Sequence, residues 1–513
     1  MASSETAPLL ASENAPGIRA SGDERQEARG TFAKRLGAKE GFALLISIVI
    51  GSGVFSSPGP IDANVPSPGA ALLVWLVGGI LAWTGALTMA ELGTAFPGEG
   101  GIQPYLTHMY GEIFGFLAAW SWIVAVMPAT LAILSIVFVE SIYSSLGITY
   151  TEPPITHKLL SLLVLVVVST ANSISTKTST RLGNFFVAVK LLSIFLLIVA
   201  GLVVVFVYAG NRHKDLGGGD WHRRNWFHER DSYENGHRIE WRNVSTWNTL
   251  GHYCTALYGA LWAYSGWDKA NYVAAELRNP SKQLPLSINT AIPTIVLCYV
   301  AANAVYYVLL PWKTVSVTDA AAVTAVTHFL GKAVAYFATV LICLVIAGSA
   351  LGNSFVAGRM TVAAANKKWL PSILSNIGQI GNWRVSKGSE EEEDADAALD
   401  KGESPINALI LSTILSAIYI LGANMRILLT FNGLGEYSFF FLTVLGDIIL
   451  RWREPDLPRP VKPFLAIPIV FALISGFVVV RGAIFAPVQA AILIGIWVVG
   501  IIFYFARKRV LRA

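Results

Sequence analysis

The sequence predicts an all-α, polytopic membrane protein, and three observations carry that reading. Hydrophobic residues make up 54% of the 513 and charged residues 14%, with a mean hydropathy of +0.55; a soluble chain of this length carries more charge. Apolar runs close to the ~20 residues that span a bilayer recur along the whole chain. Two of them, half a protein apart, are broken by glycine and serine, and a lipid-facing helix does not accommodate such a break. The formal charge of +5 comes mostly from basic residues flanking the spans, such as Arg507, Lys508 and Arg509, and is not a nucleic-acid signature. Cys254, Cys298 and Cys343 all fall in apolar runs and read as small buried residues, not as a disulfide frame or metal site. No nucleophile–base pair, metal-ligand cluster or phosphate loop stands at a usable spacing, so neither an enzyme nor a cofactor is expected.

Residues 1–37 are polar and are expected to form a disordered tail. Within it Glu5-Thr6-Ala7-Pro8-Leu9-Leu10 resembles an acidic dileucine sorting signal, the alternative being an ordinary tail. The first apolar run starts too late and is too long for a cleavable signal peptide. Twelve candidate spans follow, near 40–65, 70–94, 114–144, 158–175, 183–208, 249–275, 286–310, 325–362, 405–421, 424–450, 464–482 and 487–507. An even count puts both termini on one face. Lys34, Arg35, Lys39, Lys177, Arg181, Arg278, Lys282, Lys367, Lys368, Arg451, Arg453 and Arg459 share it, so the positive-inside rule makes it cytoplasmic. The segment 209–248 is then external despite arginines such as Arg223, Arg224, Arg230, Arg238 and Arg242, and it is long enough to be a small cap. Its sequon at Asn243 stands close to the next span, which argues against its use. Its histidines His213, His222, His228 and His237 match no standard metal-ligand spacing. The loop 363–404, with the acidic run 390–394, reads as a solvated tether.

The first break is Val49-Ile50-Gly51-Ser52-Gly53-Val54-Phe55 in span 1. Each glycine weakens a helix by roughly 1 kcal/mol against alanine. A break frees N–H groups at the head of the second half-helix and carbonyls at the end of the first. The former suit a carboxylate and the latter an ammonium, so an amino acid fits the pair. A small-residue packing face is the competing explanation for one such motif. The second break, Trp262-Ala263-Tyr264-Ser265-Gly266-Trp267-Asp268 in span 6, changes the balance. Spans 1 and 6 head two halves of five, and breaks at matching positions point to a LeuT-like 5+5 inverted repeat with two further spans. No residue-level repeat supports the symmetry.

The two breaks, with Ala90-Glu91-Leu92-Gly93-Thr94-Ala95-Phe96-Pro97, Glu276-Leu277-Arg278-Asn279-Pro280 and the run from Leu450 to Pro460, resemble motifs of a known family. It is the large neutral amino acid transporter branch of the amino acid–polyamine–organocation superfamily, and the resemblance runs from about residue 38 to 507. The run 266–273 is most similar to fungal members, which include methionine permeases. The resemblance implies a LeuT-like core over 38–450, spans 11 and 12 over 451–507, and a short C-terminus over 508–513. Animal members are disulfide-linked to a heavy chain through a Cys between spans 3 and 4; residues 145–157 contain none, so no covalent partner is expected.

By that resemblance the N–H groups of Ser52 and Gly53 hold a substrate carboxylate. The carbonyls of Val49, Ile50, Trp262, Ala263 and Ser265 surround the ammonium, and Trp262 gates the external path. Lys190, inside span 5, stands where sodium-coupled relatives bind sodium, which implies sodium independence; snorkelling from a span end is the alternative. Asp268 is placed to couple protons or attract a cationic side chain, or to pair with Lys269 or end a helix. Glu91 is expected to bond the loop that follows it, and Arg359 and Glu436 have no assigned role. Ala125, Val126, Ser349, Asn353 and Phe431 are candidates for side-chain specificity, and their small or apolar character favours neutral substrates. The function expected is sodium-independent transport of neutral L-amino acids, methionine among them, as proton symporter or exchanger, in the plasma membrane or alternatively a vacuolar or endosomal one. A cationic amino acid or polyamine carrier and a non-transporting sensor are the alternatives.

Overall fold

The computed structural model describes residues 37–96, 101–148, 150, 153–174, 176–234, 237–269, 279–376 and 405–510. The dileucine run, the acidic run 390–394 and the motif residues 276–278 lie outside the described residues. Span 1 is α1 (Ala38–Val49), a break, then α2 (Gly53–Ser56) and α3 (Pro58–Ala63). Span 2 is α4 (Pro68–Ala95), opened by Ser67, whose hydroxyl accepts the Ala70 N–H at 3.2 Å, and by Pro68 in its first turn. A short helix α5 (Ile102–Tyr110) precedes span 3. That span runs as α6 (Glu112–Ser121), a π-turn (Trp122–Val126) and α7 (Met127–Leu146). Spans 4 and 5 are α8 (Ile155–Ile174) and α9 (Thr176–Gly210).

A folded cap follows, with α10 (Asp220–Arg223) and an antiparallel hairpin of β1 (Ser232–Glu234) and β2 (His237–Ile239). Span 6 begins as α11 (Thr246–Ala263) and span 7 is α12 (Pro280–Leu309). Two short helices, α13 (Trp312–Val317) and α14 (Ala321–Leu330), lead to span 8, α15 (Lys332–Asn366). Spans 9 to 12 are α16 (Ile406–Gly422), α17 (Met425–Arg453), α18 (Ala466–Phe485) and α19 (Pro487–Val510). Among the described residues nine helices are long and apolar enough to cross a membrane; the other three expected spans are the two broken ones and the short α16.

One boundary differs from the sequence reading. The expected span 325–362 is two elements, α14 and α15, divided at Gly331 with φ +80°. Apolar residues on both sides hide this turn from hydropathy. The first half has the same device: α5 and α6 divide at Gly111, φ +99°. A Cβ at either position would meet nothing within 4 Å, so the backbone angle alone calls for glycine. The short helix, glycine and long third span thus recur in both halves.

The cap is fastened to the start of the bundle. Trp226 accepts the Gly69 N–H at 2.8 Å and packs edge-on against Tyr307 and Trp312. Arg230 pairs with Asp62, which is fully buried and also takes the Tyr307 hydroxyl. Ser232 donates to the Ala63 carbonyl at 2.6 Å, and Asn64 joins Glu234 at 3.1 Å and His252 at 2.7 Å. Nearer α9, burial alone would raise the Asp215 carboxyl. Donors from Gly217 (2.8 Å) and His222 (2.9 Å) nevertheless hold it below its ordinary value.

Candidate functional site

At the first break the last helical bond of α1 is Ile50 N–H to the Ile46 carbonyl, 3.0 Å. Gly51 N–H turns instead to the hydroxyl of Tyr299 at 3.3 Å. Gly53 opens α2, with Ser52 before it making no side-chain cap. The Ser52 and Gly53 N–H groups therefore head a half-helix, where helix geometry supplies no internal acceptor. At the second break α11 closes with Ser265 N–H on the Trp262 carbonyl, 3.1 Å. Gly266 then takes φ +107° before a 3₁₀ turn, Trp267–Lys269.

The two breaks touch in reversed order. A Cβ on Gly53, just after the first break, would fall 2.5 Å from Ala263 Cα, just before the second. A Cβ on Gly266, after the second, would stand 3.0 Å from the Ile48 side chain, before the first. That is the crossing an inverted repeat produces. Tyr299, fully buried on α12, stitches the crossing together. Its hydroxyl accepts from Gly51 and has the carbonyls of Val49 and Ala263 within 3.2 and 3.3 Å. Two turns on, Tyr306 donates to the Val54 carbonyl at 3.2 Å. The sequence reading missed both tyrosines. The signal was there, since hydroxyls on one face of a membrane helix need partners.

The other expected residues fall around this crossing or away from it. Ser52 and Trp262 are buried, at 3% and 8% exposure. Ser265 donates to Glu436 of α17 at 3.3 Å, which brings that acid to the second break. Asp268 is half-buried in the 3₁₀ turn. Lys190 is buried and is the sixth residue of the apolar stretch Phe185–Gly210 of α9. Ala125 and Val126 end the π-turn, a feature frequent at functional sites. The Val124 carbonyl there accepts from Tyr419, whose ring packs on Phe431. The buried Ser349 hydroxyl has no hydrogen-bond partner among the described residues, while Asn353 donates to the Ser349 carbonyl at 2.9 Å. Arg359 stacks on Phe355 instead of joining the crossing. Among the described residues Glu91 pairs with Arg451 and Arg459; the loop expected from sequence, 97–100, lies outside the described residues.

The family model described as amino acid permease matches residues 36–506. This chain belongs to the amino acid permease family. The b(0,+)-type amino acid transporter 1 of Mus musculus is 30% identical over 480 residues, covering 93% of the chain and 88% of the relative. The Homo sapiens protein of that name is 30% identical over 488 residues, covering 94% and 90%. The large neutral amino acids transporter small subunit 2 of Mus musculus is 29% identical, covering 96% and 85%. As a permease the chain is a multi-pass membrane transporter and not an enzyme.

Proposed function

We propose that this permease carries neutral L-amino acids, methionine among them, by sodium-independent alternating access. The observation that carries the reading is the contact of the two breaks at Gly53 and Ala263. It sets the Ser52 and Gly53 N–H groups close to the Val49 and Ala263 carbonyls, donors for a carboxylate beside acceptors for an ammonium. Ile50, Trp262 and Ser265 complete the acceptor side, and Trp262 closes the external path. Lys190 stands in for sodium. Ala125, Val126 and Phe431 are apolar neighbours for an uncharged side chain. By the positive-inside rule both termini are cytoplasmic and the cap is external, in the plasma membrane or a vacuolar or endosomal one.

A cationic substrate is the second reading. Glu436, reached by Ser265, and Asp268 put two acids at the second break, and a relative carries the b(0,+) name. A relative is also named a small subunit; with no cysteine between α7 and α8, this chain works without a covalent heavy chain. The test is labelled methionine uptake into proteoliposomes holding the purified chain alone, with and without an inward proton gradient, and with leucine, lysine or spermidine as competitors. Gradient-driven uptake establishes a symporter, and uptake only into amino-acid-loaded vesicles an exchanger. Competition by lysine or spermidine but not leucine overturns the neutral reading.

A further inference from the structure

Away from the crossing, a cluster of buried charge ties α4 to α17 at the end of the bundle opposite the cap. Glu91 is fully buried and takes two guanidinium groups: Arg451, with Nε 3.1 Å from Oε1 and Nη2 on Oε2, and Arg459, with Nε 3.1 Å from Oε1. Arg459 spends its other donors on the carbonyls of Leu450, Glu454 and Leu457, and Arg451 also reaches the Pro463 carbonyl at 3.0 Å. Asp447, one turn before Arg451 on α17, is fully buried too, yet neither of its carboxyl oxygens has a hydrogen-bond partner among the described residues. Arg451 Nε is 3.8 Å from Oδ2, with its donors turned to Glu91. Two acids thus compete for one guanidinium, and Asp447 is the one left over. A bare carboxylate away from water is far costlier than a neutral acid.

We propose that Asp447 is a proton-binding site, loaded in this conformation and emptied when α4 and α17 part during transport. Once Glu91 withdraws, Arg451 is free to turn to its i−4 neighbour, and the Asp447 carboxyl gives its proton to water at the opened face. The groups facing Asp447 fit this exchange. Glu91 comes from α4, Arg451 from its own helix, and Arg459 from the connection to α18, while Lys462 of that connection acts on Glu91. From α5, Tyr110 is engaged with the Leu442 carbonyl and His108 with Glu454. The charge of α18, Arg481, is bound to the Trp247 carbonyl at the cap end. The coupling rests on the transport reading above.

The test uses the full chain in proteoliposomes, with the pH on both faces set equal and varied together. The pH profile of methionine uptake is read for wild type and Asp447→Asn, which mimics the neutral acid. The expected result is uptake that persists in the variant with a flattened pH profile. Should Asp447→Asn fail to fold by size-exclusion, Asp447→Ser takes its place with the same expectations. A variant whose uptake follows the wild-type pH profile overturns the proposal, as does a wild type that transports methionine without pH dependence. A wild type that transports no amino acid defeats the transport reading instead, and the coupling falls with it.

Discussion

Alanine at Gly53 and alanine at Gly51 are the same change two residues apart, and the structure assigns them opposite outcomes. At Gly53 the new Cβ falls 2.5 Å from Ala263 Cα and 2.7 Å from its Cβ. Carbon contacts settle at about 3.5–4.0 Å, so the half-helices must part by about 1 Å. Overpacking of this kind costs about 1–3 kcal/mol, and about 1 Å of misplacement at a working site costs about 10²-fold. At Gly51 the Cβ meets only the Val49 carbonyl oxygen, at 3.9 Å. Sterically neutral changes stay within about 0.5 kcal/mol, about twofold. Methionine uptake by proteoliposomes should therefore fall about 10- to 100-fold for Gly53→Ala and stay near wild type for Gly51→Ala. Size-exclusion of both variants checks that they fold. If the two variants fall together, or if Gly53→Ala transports normally, the crossing does not set transport.

Tyr299→Phe removes one hydroxyl from three backbone partners and should raise the methionine KM by about 5- to 30-fold, from about 1–2 kcal/mol, with little change in expression. Arg230→Ala strands the buried Asp62 and should cost about 3–5 kcal/mol of stability; a thermal-shift assay should show most of it recovered in Arg230→Ala/Asp62→Asn. Gly111→Ala and Gly331→Ala force a positive φ with extended ψ, a region essentially confined to glycine, and should each cost about 1–3 kcal/mol in the same assay. The Asp215 carboxyl is held below its ordinary value, so its stabilisation of the cap is full above that value and fades as pH falls through the depressed one. Hydrogen exchange of residues 211–224 should accelerate only in that acidic window, and Asp215→Asn should remove the pH dependence.

Much of this architecture is legible in one sequence, because membrane spans are long apolar helices and breaks within them are rare. The Gly-Ser-Gly and Ser-Gly interruptions alone place the crossing. What escaped was what periodicity does not encode. Gly331 sits in an apolar stretch that reads as one span, and only its likeness to Gly111 would have exposed the turn. Tyr299 looked like one more aromatic in span 7, since nothing in the chain says which backbone atoms, some 250 residues away, its hydroxyl will meet. Glu91 and Arg451 are separated by 360 residues, so their pairing, and the isolation of Asp447 that follows from it, emerge only when α4 and α17 are side by side.

The Tyr299 phenol has one hydrogen, already accepts from Gly51, and faces two carbonyls. At any instant it can donate to Val49 or to Ala263 but not to both. On the proposed reading of the site, a substrate ammonium would bring three hydrogens to the same two carbonyls. A bound amino acid would then lock a frustrated bond at the place where two half-helices must move as one. The loaded carrier should be the stiffer of the two, and that stiffness would let a small ligand move the half-helices together.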